Sequence, residues 1–305
     1  MKNPNATIYS VLAVMCMPLM SAADTSEQPP SKIVAAATPK HSHATPKRKK
    51  ISAVVAATIV VNPKAVSAMP AVEQAEAAKP TQPTTENPTL AETRLPRSGR
   101  IRFEVTRGEG GMVVGESIHA WHHDGKRYTL TATTRTTGLA ALLKPATIVQ
   151  TSQGGFLNGN LKPVLFRYDR GDNDVVEAVF DWNLLQVRFK DGRTESVEEG
   201  AEDFLSMFYQ LLQAADKKEN VDTAVTTGRN IEKYRFEWLD DEDIELKSGR
   251  LSARHIRIQA VSGGKDTLEV WLSKTVPGLP VKIRNIDRKG DIYDQIATET
   301  HHAAR

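Results

Sequence analysis

From Ser98 onward, apolar and polar residues alternate with a period of two, and turn pairs ending in glycine interrupt the alternation. Ile101, Phe103 and Val105 alternate with Arg100, Arg102 and Glu104; Tyr128, Leu130 and Ala132 alternate with threonines. Tyr234, Phe236 and Trp238 follow the same rule, as do Ile256, Ile258 and Ala260, then Leu268, Val270 and Leu272. Successive side chains on a strand point to opposite faces, so this pattern specifies strands with one buried and one wet face. The turn pairs are Asp124-Gly125, Asn158-Gly159, Asp191-Gly192, Ser248-Gly249, Gly263-Gly264 and Lys289-Gly290. Connections this short join antiparallel neighbours, because parallel strands need crossovers of about a dozen residues or more. The expected fold is mainly β, with about ten strands in a large curved antiparallel sheet or half-open barrel. One amphipathic helix is expected on its concave side, from Glu202 to Ala215, with an apolar stripe of Phe204, Met207, Phe208, Leu211 and Leu212.

Composition confines this pattern to the second part of the chain. Residues 1–97 hold 12 of the 16 prolines, no glycine and a single aromatic residue, Tyr9. Without large apolar side chains a segment cannot offset its ordering entropy by burial, so 24–97 is expected to be a disordered tether. Residues 98–305 are long enough for one domain with a sizeable core. Charge divides at the same place, with a net of +5 before position 98 and −2 after it. The folded part is therefore not a basic nucleic-acid binder by charge.

The N-terminus has the layout of a secretory signal: Lys2, an apolar run from Ile8 to Met20, then Ser21 and Ala23 before the expected cleavage point. Residues 1–23 are read as that signal. Cys16 is the only cysteine, and cleavage would leave none. Residues 47–68 join a basic patch to an apolar run from Ile51 to Val61, too short to span a bilayer. They are read as linker, with an interfacial anchor as the alternative.

Motifs for chemistry are sparse. Gly263-Gly264-Lys265 is followed by Asp266 and lacks the strand-loop-helix context of a phosphate loop; Gly108-Glu109-Gly110-Gly111 lacks dinucleotide spacing. On a strand, His119 and His123 share a face that His122 does not, so three ligands do not converge; a solvated strand face is the expectation. Asp203 and Ser206 lie near each other, but without a neighbouring histidine they read as a helix start and a small packed residue. The tryptophans Trp121, Trp182, Trp238 and Trp271 are expected on strands, as packing residues first and with a ligand-stacking role second. No catalytic, cofactor-binding or metal-binding residue is assigned.

Several stretches in order resemble the bacterial domain-of-unknown-function family 3108: TTGLAALLKP, TSQGGFLNGNLKPVLF, AVFDW, EGAEDFLSMFYQL and LEVWLSKTVPGLPVKIRNIDRKGDIYDQIATE. The resemblance covers residues 101–299 and implies an exported, envelope-associated protein, hence a periplasmic location; it carries no activity. The ending, with Leu279-Pro280-Val281-Lys282-Ile283 and a turn at Gly290, is more loosely similar to LolA/LolB-type lipoprotein carriers, which implies a half-open barrel with a cavity for acyl chains.

One connection is unusually apolar. Between two strands, Leu139, Leu142 and Leu143 stand where a polar turn is expected. Two readings are open, a packed core plug and a lid over a cavity, and both turn the leucines inward. The candidate cavity residues are Leu139, Leu142, Leu143, Phe204, Phe208 and Leu211. The leading functional expectation is a monomeric, non-enzymatic periplasmic domain that binds a lipid or lipoprotein acyl group in the concavity of the sheet, without a cofactor. The alternatives are an interaction protein docking an envelope protein partner and, behind it, a hydrolase with a dispersed site.

Overall fold

The computed structural model describes residues 92–171, 175–214, 219–275 and 278–303. The expected signal, the tether up to residue 91 and the 47–68 segment lie outside the described residues. The described residues are mostly β, one large mixed sheet of fifteen strands not closed into a barrel. The strands are β1 (Ser98–Arg107), β2 (Met112–His123), β3 (Arg127–Thr136), β4 (Thr147–Leu157), β5 (Asn160–Asp169), β6 (Val175–Asp181), β7 (Gln186–Phe189) and β8 (Thr194–Ser196). After them come β9 (Glu202–Asp203), β10 (Val221–Thr226), β11 (Ile231–Leu246), β12 (Gly249–Ala260), β13 (Thr267–Ser273), β14 (Pro280–Ile286) and β15 (Ile292–His302). Among the described residues two short helices accompany it, α1 (Gly138–Leu143) and α2 (Ser206–Gln210).

The order across the sheet is β8-β7-β6-β5-β4-β3-β2-β1-β15-β14-β13-β12-β11-β10-β9. Strands β1 and β15 pair at the centre, and each half of the chain meanders outward from them. The two outermost strands, β8 and β9, are therefore neighbours in sequence, separated only by residues 197–201. A flat sheet of this size would be roughly 67 Å wide at about 4.8 Å per strand. The short link reaches only about 20 Å at full extension. The sheet must curl until its edges approach.

Side chains stitch the approach. Arg193 Nη2 donates to Arg229 O at 2.6 Å, and the Ile231 N–H donates to Glu195 Oε2 at 3.3 Å. Gly228, at φ +85°, lies so close to the other half that a Cβ there would sit 3.1 Å from Val176 Cγ2. Only β9 and β10 pair in parallel; every other pair is antiparallel, and each predicted turn pair lies at a connection between strands. At the β4–β5 turn, Asn158 and Gly159 both take positive φ, 51° and 79°, as a tight hairpin turn requires.

The predicted apolar alternations all face the interior: Ile101, Phe103, Val105, Leu130, Ile256, Ile258 and Val270 are fully buried. The same alternation buries His119, Trp121 and His123 on the inner face, whereas His122 is exposed. The expectation of a solvated histidine face is thus corrected. His119 Nδ1 pairs with the Tyr209 hydroxyl at 3.1 Å, and His123 Nε2 with Leu95 O at 2.9 Å, so both imidazoles are satisfied inside.

The link between the two edges runs through the curl as a plug. From Ala201 to Leu212 every residue except Gln210 is buried. The expected helix from Glu202 to Ala215 is corrected here: Glu202 and Asp203 form β9 against Val225 and Thr226, and only Ser206–Gln210 is α-helical. A segment enclosed on all sides gains from sheet pairing at one end as well as from helical bonds at the other.

The apolar connection is corrected more sharply. Leu139, Leu142 and Leu143 are 68, 82 and 73 % exposed, and no residue of α1 is buried. They are neither a core plug nor a lid.

Candidate functional site

The curled sheet leaves a gap in its wall between β5 and β10. Strand β6 covers β5 only from Leu165 to Asp169, so Asn160–Val164 have no strand on that side. Strand β9 covers β10 only at Val225 and Thr226, so Val221–Ala224 are likewise uncovered. Residues from both uncovered edges line a single cavity of about 370 Å³. Leu157, Leu161, Lys162 and Trp182 form one wall; Val221, Thr223, Phe236 and Trp238 form the other; Met207, Leu211 and Glu202 lie between them. This volume is at the lower end of the range for small-molecule pockets, about 300–1,000 Å³.

Unpaired strand edges are expensive inside a protein, and side chains reach the uncovered edge of β5. The Leu161 N–H donates to Gln210 Oε1 at 2.8 Å, while Gln210 Nε2 donates to Asn160 Oδ1 at 2.6 Å. Trp182 follows β6, where Asp181 Oδ1 accepts from the N–H groups of Asn183 and Leu184 and turns the chain. That turn sets the indole against Phe180 with a 5.2 Å stack and lets Nε1 donate to Pro163 O at 2.6 Å. Lys162 Nζ lies 5.0 Å from the centre of the Trp182 ring, a cation–π contact at the cavity wall. Across the gap, Trp238 Nε1 is buried with no hydrogen-bond partner among the described residues.

A buried acidic network borders the cavity. Asp203 Oδ2 accepts from Ser152 Oγ at 2.5 Å, and its Oδ1 accepts from the N–H groups of Leu205 and Ser206 at 2.9 and 2.8 Å. Ser206 Oγ accepts from the Asp203 N–H at 2.9 Å and donates to Glu202 Oε2 at 2.6 Å. Burial pushes the Asp203 carboxyl up to about 6, with the bonds from Ser152, Ser206 and Leu205 pulling the other way. Burial pushes Glu202 well above the usual carboxylate range; Ser206 opposes the shift and the charge of Asp203 adds to it. With more donors aimed at it, Asp203 is the member that ionises first. Burial also drives His119 down to about 4, so it is neutral in the folded protein.

Asp203 and Ser206 do come together, but as the fixings of a chain turn. Ser206 is fully buried and has no histidine among its partners, so the arrangement organises the plug. Among the described residues no group of three or more His, Cys, Asp or Glu side chains is placed to hold a metal ion.

Of the six candidate cavity residues, only Leu211 lines the cavity. Phe204 and Phe208 are buried behind it, edge to face at 5.7 Å, as core. Leu139, Leu142 and Leu143 lie on the outside, between β3 and β4. Sequence reasoning missed Lys162 and Gln210, and it held a ligand-stacking role for Trp182 and Trp238 only as a second reading behind packing.

The chain belongs to the family DUF3108, proteins of unknown function, which matches residues 102–295. No curated protein matches it. Among solved structures it is similar to a β-barrel-like protein of the domain of unknown function DUF1849 from Brucella abortus, with a TM-score of 0.48 at 10 % identity. That match covers 68 % of this chain and 98 % of the other. A chain from Parabacteroides distasonis described as a candidate lipoprotein gives a TM-score of 0.31 at 9 % identity, over 69 % and 97 % of the two chains. A candidate exported protein with a YmcC-like fold from Bacteroides fragilis gives 0.30 at 8 % identity, over 70 % and 99 %.

Proposed function

We propose that this is an exported, non-enzymatic domain of the periplasm that binds one chain of an amphipathic envelope lipid in the gap between β5 and β10. The observation that carries the reading is the gap itself: two uncovered strand edges facing one cavity, with Trp182 and Trp238 in opposite walls. The concave interior of the sheet is filled by the plug, so the expected concavity is core, and the open space lies at the incomplete seam. Phe236, Leu161, Met207 and Leu211 offer an apolar surface to an acyl chain. Lys162 supplies a cation, and the buried Trp238 N–H a donor, for the carboxylate or phosphate end.

The test is native mass spectrometry of the full chain, produced in a Gram-negative periplasm without detergent, followed by tryptophan-fluorescence titration with palmitate and lysophosphatidylglycerol. One bound amphiphile per chain is expected, with a fluorescence change lost in Val221→Asp, a half-exposed wall position whose change leaves the core intact. A folded protein that binds neither probe would sink the reading. So would binding that Val221→Asp leaves unchanged.

A further inference from the structure

Two acids line the seam cavity, and they differ in kind. Glu199 is exposed, whereas Glu202 is only 2 % exposed although it borders the space. Strand β9 puts it there. Glu202 pairs with Val225, the residue at which the covered part of β10 gives way to the uncovered stretch Val221–Ala224. Its neighbour Asp203 is fully buried outside the cavity wall and accepts bonds from Ser152 and from the N–H groups of Leu205 and Ser206. Among the described residues Glu202 accepts from Ser206 Oγ alone.

A carboxylate in apolar surroundings needs several donors or a cation beside it. The groups packed around Glu202 supply neither. Lys162 of β5 lies over the Trp182 ring, 5.0 Å from its centre, and no ion pair joins it to Glu202 among the described residues. Strands β10 and β11 bring Val221, Thr223, Phe236 and Trp238 to the wall, none of them titratable. The titratable side chain of α2 is Tyr209, which pairs with His119. Tyr128 of β3 is held well above its ordinary range by burial and then by the charges of Asp203 and Glu202, so it answers the two acids without neutralising them.

An ionised Glu202 is therefore tolerable only while solvent can enter the cavity. An acyl chain filling the space expels that solvent and leaves the charge with one hydroxyl. Burial already pushes Glu202 well above the usual carboxylate range, the Ser206 bond opposing and the charge of Asp203 reinforcing the shift. A bound chain deepens that burial. Linkage is reciprocal, so a lipid that favours the proton is itself favoured by the proton.

We infer that Glu202 couples lipid binding at the seam to proton uptake, an inference that rests on the lipid reading of this cavity. The cavity loads with the carboxyl neutral and unloads when it ionises.

The test titrates the full chain with lysophosphatidylglycerol, whose phosphodiester stays charged throughout, following tryptophan fluorescence from about pH 5 to about pH 9. Affinity should fall roughly tenfold or more across that range. In Glu202→Gln, which keeps an acceptor for Ser206 and cannot ionise, the fall should vanish; in Asp203→Asn it should persist. Calorimetry of the unsubstituted chain in two buffers of different ionisation heat gives a readout that needs no variant to fold: net proton uptake on binding at alkaline pH. Equal affinity at every pH, or binding without proton uptake, overturns the coupling and leaves the lipid reading in place. A pH dependence that survives Glu202→Gln overturns it by moving the proton to another group. No binding at any pH overturns the coupling and the lipid reading together.

Discussion

The backbone N–H of Leu161 donates to the side-chain oxygen of Gln210 at 2.8 Å, so a helix side chain completes a strand edge that no strand reaches. The same amide passes a 2.6 Å bond to Asn160 and joins the β4–β5 turn to the plug. Gln210→Leu leaves a partly buried N–H without its acceptor. A loss of about 1–3 kcal/mol is expected in chemical unfolding. Gln210→Glu keeps the acceptor and should lose less. Equal losses in the two variants would show that the bond to Leu161 is not what matters.

The seam also depends on a missing side chain. Gly228 takes φ +85° in the β10–β11 turn and faces Val176 and Phe166 from the other half of the sheet. Gly228→Val combines a strained backbone with a steric contact, and a loss of about 1–3 kcal/mol is expected. Because the damage is at the seam, amide exchange should accelerate first in β6 and β10. Acceleration confined to the central β1–β15 pair would contradict the seam as the site of strain.

The strands were legible because period-two alternation is set locally by the pleat, and Ile101, Phe103, Leu130 and Ile258 obeyed it. The plug was half legible. Phe204, Leu205, Met207, Phe208, Tyr209, Leu211 and Leu212 are apolar nearly all round, so a helical stripe drawn through them could not reveal that Glu202 and Asp203 pair with β10. The direction of the α1 leucines is decided by Thr136 and Thr137, whose bonds reach Ala146 and Val114; spacing alone reports a stripe without saying which way it faces. The cavity was illegible because it exists where β6 and β9 stop short of covering β5 and β10. That relation joins residues far apart in the chain.

The outward leucines make a simple contrast in stability. Leu142 is 82 % exposed and Leu205 is fully buried in the plug. Leu142→Asp should change unfolding free energy by no more than about 0.5 kcal/mol. Leu205→Ala removes buried methyl groups and should cost about 2–5 kcal/mol. A large loss in Leu142→Asp would restore the inward reading of α1.

The buried titratable groups give opposite dependences on pH. Asp203 binds its proton more tightly folded, at about 6, than unfolded, at 3.8, so its destabilising contribution is absent below the lower value and complete above the upper. Glu202 acts in the same direction. His119 binds its proton more tightly unfolded, at 6.5, than folded, at about 4, so its destabilising contribution is absent above the upper value and complete below the lower. Each window is worth about 3 kcal/mol at 1.36 kcal/mol per pH unit. On acidification from pH 6.5 to 4 the aspartate gain and the histidine loss therefore oppose each other. Relative to the unsubstituted protein, His119→Gln should become more stable over that interval by about 3 kcal/mol, and Asp203→Asn less stable by a similar amount. Unfolding free energies at the two pH values check both. Identical pH slopes in all three proteins would mean that neither group carries the buried ionisation assigned to it.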